Sequence, residues 1–525
     1  MVTSADASAP AAPAARSIES RDPATGEVWR RFEPATVSDV ADAISAARRA
    51  QAAWRTVAVR ERGRRLERFR RVLYAQRREV SDTISRECGK PPVEALSEVL
   101  VTLDFARYYG RRAVLRALRP RQFVGATPAM WRKRVHITQE PFGVIGVISP
   151  WNFPFMLPAA IALPALVAGN GVVLKPSEFT TQTGLLLVEL LHDAGVPQDL
   201  IRALPGDRVA GAALIEQGCD KIFFTGSDAT GRRVAAACAA RLTPCVLELG
   251  GSDPAIVLDD ADLARTADGI AWGRFSNSGQ TCVAPKRVLV HEAVYDRFAA
   301  LLAERVRAVN ASTARKSSET GPLVRPEQTA RIRAQLDDAL ALGATVAASG
   351  TAADDALFAP TLLAGVRPEM RVLREETFGP ILPMIRVRDD DDAVARANAS
   401  PFGLSASIWS GNRQRAMAVA ARLEAGSVMI NDSVVVAGMA DVPHGGVKAS
   451  GSGRAHGAAG LLECVRTKAI VDDRLPSLRQ IWWYPYRPGG RDLFDGAMTA
   501  LHARGPMARL RGLWRARRLL RGLRP

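Results

Sequence analysis

Cys282 closes the segment FSNSGQTC (275–282) and is followed by Val-Ala-Pro-Lys-Arg. Small, turn-prone residues ahead of it bring a thiol to a backbone bend. A free thiol has a pKa near 8.5, so only a few per cent is thiolate at pH 7. Backbone N–H groups or a helix N-terminus at the bend would raise that fraction. Burial as an inert core residue is the usual fate of a cysteine, and the residues on either side of Cys282 set it apart from that fate. Ahead of it, Glu248 ends the apolar run CVLEL (245–249) and is followed by Gly250-Gly251. Partial burial there would lift a carboxylate toward the range of a general base; the alternative is a surface Glu before a loop. Asn152, in ISPWNFP (148–154), offers an amide donor at the mouth of a strand. Such a donor stabilises an oxyanion, and its loss costs roughly a hundred- to a thousandfold in rate. The alternative is a turn Asn bracketed by Pro150 and Pro154.

Two further segments suit a nucleotide. In VVLKPSE (172–178), Lys175 ends a strand and Glu178 follows three residues on. An ammonium and a carboxylate can hold the two vicinal hydroxyls of a ribose, or they can form a solvated ion pair. In FFTGSDATG (223–231), Gly226-Ser227 stands between a strand and a helix. Backbone N–H groups and the helix N-terminal dipole favour a pyrophosphate at such a place. The segment is not GxGxxG, so the usual dinucleotide fingerprint is missing. The cysteines 88, 219, 238, 245, 282 and 464 are scattered, with no CxxC spacing that would suggest a metal.

The elements that must carry these residues alternate. Thr36 to Trp54 reads as a capped helix, and Arg60 to Val80 as a second with Leu66, Phe69 and Leu73 on one stripe; Lys90-Pro91-Pro92 interrupts before a third. Then VIGVIS (144–149), a helix from Pro158 to Ala168, GVVLK (171–175), a helix from Thr180 to Ala194, KIFFT (221–225), a helix from Ala229 to Ala240 and CVLEL follow in turn. Short apolar strands separated by helices predict a parallel sheet covered on both faces. After Gly250-Gly251 a second α/β region begins, with a strand RVLV (287–290) and helices over Tyr295–Val309 and Glu327–Leu340, and it runs to about Gly453.

The 525 residues, 47% of them hydrophobic, exceed a single core and predict two or three domains. No apolar run is long enough to span a bilayer. Residues 1–16, rich in Ala, Pro and Ser, lack a secretory pattern and are expected to be a disordered leader. Scattered thiols fit a reducing cytoplasm. The net charge is +17, and from Ile481 onward there are ten Arg, no Lys and two Asp. Arginine far outnumbers lysine along the whole chain, a compositional bias, so the charge alone does not point to nucleic acid.

Together with EETFGP (375–380), GLSASIW (403–409), GSVMIND (426–432) and PHGGVKASGSGR (443–454), these segments closely resemble the aldehyde dehydrogenase superfamily from about Asp22 to about Ile470. The resemblance implies an NAD(P)-dependent, non-acylating enzyme that oxidises an aldehyde to a carboxylic acid through a cysteinyl thiohemiacetal and a thioester. It implies an α/β fold in which a Rossmann-like dinucleotide-binding domain (17–121 and 142–250) and an α/β catalytic domain (251–453) are joined by a small bridging and oligomerisation sheet (122–141 and 454–475). A basic tail (476–525) follows. Cys282 would be the nucleophile, Glu248 the residue that activates water, and Asn152 with the Cys282 N–H the oxyanion hole. Lys175 and Glu178 would hold the adenosine ribose, Trp151 with Gly226 and Ser227 the pyrophosphate region, Glu376 the nicotinamide ribose, and Phe378 would lie beside the nicotinamide. No metal is implied. Glu178 favours NAD because a carboxylate repels a 2′-phosphate, while Lys175 leaves NADP open.

Phe153, Phe155, Met156, Leu157, Ala160 and Val283 suggest an apolar tunnel and an aliphatic or aromatic aldehyde, with a succinate-semialdehyde type of substrate as the alternative. Two positions depart from the common family pattern: His444 where Phe is frequent, either packed or lining the aldehyde entrance, and Ala455 where Glu is frequent. A homodimer or homotetramer is expected in the cytoplasm, with no nucleic-acid partner. Met507, Leu510, Leu513, Trp514, Leu520 and Leu523 recur at helical spacing in a basic segment, a pattern suited either to an anionic membrane surface or to docking on the chain itself. A CoA-acylating dehydrogenase and a non-catalytic scaffold are the remaining alternatives.

Overall fold

Thr36 caps the helix Val37–Trp54 with a reciprocal pair of bonds: its Oγ1 accepts from the Asp39 N–H at 3.1 Å, and the Asp39 carboxylate accepts from the Thr36 N–H at 2.8 Å. Val40, Ile44, Ala47 and Trp54 are buried on one stripe. The computed structural model describes residues 17–125, 130, 132–315, 318–354, 357–475, 480, 482–486 and 488–521, with side chains to 517. The expected leader, 1–16, lies outside the described residues. The helix predicted over Arg60–Val80 is instead two, Val59–Ala75 and Arg77–Cys88, because Gln76 leaves helical geometry at φ −96° and ψ 11°. The break lets Leu66, Phe69 and Leu73 on one piece and Val80 and Ile84 on the other both reach the core. The helix Pro92–Gly110 follows, with proline in its first turn.

The chain divides into two compact units: one runs to Arg119 and resumes over Gln139–Thr467; the other comprises Pro120–Thr138 and everything from Lys468. The first unit holds two large sheets. In one, the order is Gly451–Ser452, Cys245–Glu248, Lys221–Thr225, Val144–Ile148, Gly171–Lys175, Ile201–Ala203. All are parallel except the short Gly451–Ser452 edge. The chain starts at the central Val144–Ile148, winds outward to one side, then returns to Lys221–Thr225 on the other. The strand order therefore reverses between those two strands, and doubly wound sheets bind ligands at such a reversal. Register aligns Ile148 with Lys175 and with Phe224, and Thr225 with Glu248. The predicted site residues therefore leave the sheet from one edge. The all-apolar helix Met156–Ala168 is almost wholly buried beneath it.

The second sheet has the order Thr345–Ser349, Thr361–Ala364, Ile381–Val387, Pro285–His291, Asp253–Val257, Ser405–Trp409, Ser427–Ile430, antiparallel only at its first pair. The helix Leu263–Phe275 packs its Ala267, Ile270 and Phe275 on this sheet.

Arg121–Val124 pairs antiparallel with Lys133–Pro141, and Val465–Asp473 completes a three-stranded sheet, most of which belongs to the other unit. Arg132 and Lys133 both pair with Asp473, at 3.1 and 2.8 Å. The tail helix runs over Pro506–Arg521, near the predicted Met507–Leu523, whose last residues lie outside the described set. A second helix that the sequence reading missed, Gly490–His502, packs against it as a hairpin. The two backbones nearly touch: a Cβ on Gly512 would fall 2.4 Å from the Ala500 nitrogen.

Candidate active site

The loop that carries Cys282 is held from several directions. Asn277 and Ser278 adopt left-handed φ values of 51° and 57°, followed by Gly279 at 73°, a run that non-glycine residues adopt only when their surroundings hold them. Glu94 accepts from the Asn277 N–H at 3.0 Å, and the Ser278 hydroxyl donates to the Gly321 carbonyl at 2.7 Å. The Gln280 side chain donates to the Asn277 carbonyl and accepts from the Val324 N–H, each at 3.0 Å. Beyond the cysteine, the wholly buried Lys286 Nζ donates to the Thr281 and Cys282 carbonyls at 3.0 and 2.6 Å. Burial pushes the Cys282 thiol up to about 12, with Lys286 opposing the shift and Glu376, Asp253 and Glu248 adding to it.

Cys282 and Glu248 line one narrow pocket together with Leu157, Ala160, Ile161, Thr225, Leu404, Ala455 and two imidazoles, His444 and His456. Among the described residues neither Glu248 oxygen meets a hydrogen-bond donor. The Ala455 N–H beside it is committed to the His444 carbonyl at 2.8 Å. Burial pushes Glu248 up to about 8, with the charge of Arg454 only partly opposing. Immediately after Glu248 the chain must squeeze between other groups. A Cβ on Gly250 would meet the Glu376 carboxylate at 2.3 Å, and one on Gly251 would meet the Cys282 carbonyl at 3.0 Å. This crowding explains the paired glycines.

Asn152 is buried but is not a wall of that pocket. It stands behind the cysteine loop, its Nδ2 donating to the Gln280 carbonyl at 3.0 Å. An amide has two N–H donors, so a second remains available. Its backbone carbonyl accepts from Asn277 Nδ2 at 3.0 Å and from Lys90 Nζ at 2.8 Å. Lys90 is fully buried with Glu98, 2.9 Å away, whose other oxygen accepts the Phe155 and Met156 N–H groups. Burial, the largest single effect, works against the Lys90 charge, but Glu98 together with Cys88 and Glu94 leaves the ammonium raised above its ordinary value. Sequence reasoning took Lys90-Pro91-Pro92 only as a helix break and missed this support. It also missed Glu94, Glu98, Gln280 and Arg274. Arg274, fully buried, donates to the Thr377 and Gly379 carbonyls and so fixes the EETFGP turn.

The residues expected at the cofactor fall along the shared sheet edge. Lys175 Nζ donates to the Gly206 carbonyl at 3.0 Å and lies 3.5 Å from the half-exposed Glu178 carboxylate. Ser227 caps the helix Asp228–Ala240, its Oγ accepting from the Thr230 N–H, and the Gly226 N–H donates to the Glu248 carbonyl at 3.0 Å. Glu376 accepts from the Gly251 N–H at 3.0 Å, with Lys286 Nζ at 3.7 Å. Trp151 and Phe378 meet edge to face, centroids 5.5 Å apart. The Ser149 hydroxyl at this edge is buried without a partner among the described residues. An ammonium–carboxylate pair, a capped helix N-terminus and an orphaned hydroxyl at a strand-order reversal fit a dinucleotide. Lys175, Glu178, Gly226 and Ser227 are not walls of the Cys282 pocket.

His444, 5% exposed, is packed and also faces the pocket. It stacks on His456 at 5.1 Å and 21°, and burial pushes it down to about 4, with Arg454 adding to the effect. Burial likewise holds His456 well below the ordinary imidazole value. The Nδ1 atoms of both rings are buried without partners among the described residues.

A sequence profile of the aldehyde dehydrogenase family matches residues 11–470. A protein of Mycolicibacterium smegmatis provisionally named succinate-semialdehyde dehydrogenase, NADP(+), is 39% identical over 86% of this chain and 88% of its own. The 4,4′-diapolycopene aldehyde oxidase of a Methylomonas species is 36% identical over 93% of this chain and 92% of its own. Among solved structures, the NADP-dependent glyceraldehyde-3-phosphate dehydrogenase of Bacillus halodurans in complex with NADP superposes with a TM-score of 0.83 at 37% identity, covering 88% of this chain and 96% of that one. The chain belongs to the aldehyde dehydrogenase family. It is an oxidoreductase that oxidises an aldehyde to a carboxylic acid with NAD(P).

Proposed function

We propose that this dehydrogenase acts on an uncharged, apolar aldehyde, aliphatic or aromatic, with Cys282 as nucleophile, Glu248 as base, and Asn152 with the Cys282 N–H as oxyanion donors. The observation that carries the substrate reading is the pocket wall. Leu157, Ala160, Ile161, Leu404 and Ala455 surround Cys282 and Glu248, burial holds both imidazoles below their ordinary value, and among the described residues no Lys or Arg lines the cavity. Arg454, whose charge reaches Glu248 and His444, spends its Nη1 on the Gly446 and Gly453 carbonyls at 3.0 and 2.7 Å. A substrate carboxylate would enter such a wall unpaired, at a cost of several kcal/mol. The second reading, a semialdehyde, is favoured by the relative named for succinate semialdehyde; Arg454 would then have to turn from those carbonyls to the substrate.

In this scheme Cys282 first loses its thiol proton to solvent; the thiolate then adds to the aldehyde carbon, and the carbonyl π pair becomes an oxyanion that accepts hydrogen bonds from Asn152 and the Cys282 N–H. A nicotinamide cofactor held at Glu376 and Phe378 would supply the acceptor for the hydride that leaves that carbon. The oxyanion pair reforms the carbonyl as a thioester on Cys282. Glu248 then takes a proton from a water as its oxygen bonds to the acyl carbon, and collapse expels the Cys282 thiolate and releases the acid. Lys175 and Glu178 would hold the adenosine ribose, Trp151, Gly226 and Ser227 the pyrophosphate, and Glu376 and Phe378 the nicotinamide end. The same reading makes the enzyme a cytoplasmic homodimer or homotetramer. All six cysteines are free, which suits a reducing compartment, and light scattering on purified protein tests the assembly.

The test of substrate class is a panel assay. Hexanal and benzaldehyde should exceed succinic semialdehyde in kcat/KM by about a hundredfold or more, the scale of a penalty of several kcal/mol for one unpaired charge; a higher value for succinic semialdehyde would overturn the reading.

A further inference from the structure

The hairpin Gly490–His502 and Pro506–Arg521 buries Leu493 and several small residues and leaves seven other large apolar side chains exposed. Gly496, Gly512 and Ala516 are buried at the contact. Phe494, Met498 and Leu501 form a stripe on the first helix, and Met507, Leu510, Leu513 and Trp514 on the second; these seven are between 42% and 66% exposed. Three further aromatic residues, Trp483, Tyr484 and Tyr486, are exposed just ahead of the hairpin. Such a surface is costly in water unless something covers it.

Charge decides what covers it. The last 45 residues hold ten Arg, no Lys or Glu, and two Asp. Both acids, Asp492 and Asp495, are neutralised by one arginine, Arg515, each at 3.0 Å. The exposed Arg491, Arg504, Arg509, Arg511 and Arg517 beside the apolar stripes are left without a counter-charge from Asp492 or Asp495. Two copies meeting through this surface would bring like charges together. An anionic bilayer satisfies both features: apolar side chains enter the acyl boundary, and guanidinium groups meet lipid phosphates. Exposed Trp and Tyr favour the headgroup level. Neither helix is long and apolar enough to cross a membrane, so the hairpin lies on the surface.

We propose that this hairpin is a preformed docking element for an anionic lipid bilayer. The reading goes beyond the aldehyde oxidation and does not depend on the substrate assigned above. The test is co-sedimentation of the full-length protein with phosphatidylcholine vesicles and with vesicles containing phosphatidylglycerol. Two variants are compared, Leu510→Asp/Trp514→Asp and Arg509→Gln/Arg511→Gln/Arg517→Gln. The wild type should partition about tenfold more strongly to the anionic vesicles, with the preference shrinking as salt rises. Both variants should lose most of that binding while oxidising a water-soluble aldehyde at the wild-type rate, which shows that they fold. Equal partitioning of the wild type to both vesicles, or unchanged binding by both variants, overturns the proposal. So does a change of subunit number in Leu510→Asp/Trp514→Asp without loss of vesicle binding, which would assign the surface to a second copy.

Discussion

Cys282 and Glu248 line the same pocket although they leave different sheets from opposite strand ends. Glu248 ends the last parallel strand of one sheet, and Cys282 lies just before the start of Pro285–His291 in the other. The joint between them is the Gly250-Gly251 step, too tight for any side chain, because Glu376 and the Cys282 carbonyl press against it. A thiol and a base are thus set into one cavity by backbone packing, with hydrogen bonds fixing the loop and none fixing the Glu248 carboxylate among the described residues. A carboxylate left without donors is poised to accept a proton.

The burial of Glu248 predicts the pH profile. Its carboxyl is pushed up to about 8, so the basic form that accepts a proton from water grows as pH rises through that value. Steady-state turnover limited by thioester hydrolysis should therefore climb between pH 7 and 9 and level off above. In Glu248→Gln the rise should vanish and turnover should fall by about a hundredfold or more. A wild-type profile that is flat across this range would remove Glu248 from the base role.

Asn152→Ala should lower kcat/KM by about a hundred- to a thousandfold with little change in stability, since the lost contact is one surface-inaccessible amide bond to Gln280. Kinetics paired with urea unfolding separate the two effects. A loss below about threefold would show that the oxyanion is met by other donors.

Lys90 donates to the Asn152 carbonyl at 2.8 Å and pairs with the buried Glu98 carboxylate at 2.9 Å. Lys90→Met leaves the Glu98 carboxylate buried and unpaired, a change that typically costs about 3–5 kcal/mol. The expected result is a lower urea midpoint together with a fall in kcat. The double variant Lys90→Met/Glu98→Leu should recover part of the stability while kcat stays low. Full recovery of kcat in the double variant would show that the pair does not position Asn152.

Glu178 faces Lys175 at 3.5 Å and keeps a half-exposed carboxylate at the sheet edge. Removing its charge in Glu178→Gln should raise kcat/KM with NADP relative to NAD by about fivefold, the scale of one screened charge contact. An unchanged ratio would place the 2′-hydroxyl elsewhere.

The parts of this architecture that were legible in the sequence are those written in local pattern. Short apolar strands between helices gave the parallel sheets, and Thr36 with Asp39 marked a helix start that the structure keeps. What escaped was set by tertiary contact. Lys90, Glu94 and Glu98 carry charges that in isolation read as surface residues, and only the fold buries them behind the cysteine loop. Gln76 breaks a helix whose apolar stripe continues through it, because the two halves face different parts of the core. Gly496 and Gly512 look like helix breakers, yet they are where two helices approach most closely. His444 is packed, as the first of its alternatives has it: it stacks on His456, and its ring is also a wall of the Cys282 pocket.

The central claim, that the acyl group passes through Cys282 and is released by Glu248, is tested most directly by mass spectrometry of Glu248→Gln incubated with benzaldehyde and NAD. A benzoyl adduct on the peptide containing Cys282, accumulating to about one per subunit alongside a burst of reduced cofactor, is the predicted result. An adduct on another cysteine, or full turnover with no adduct and an unchanged rate, would contradict it.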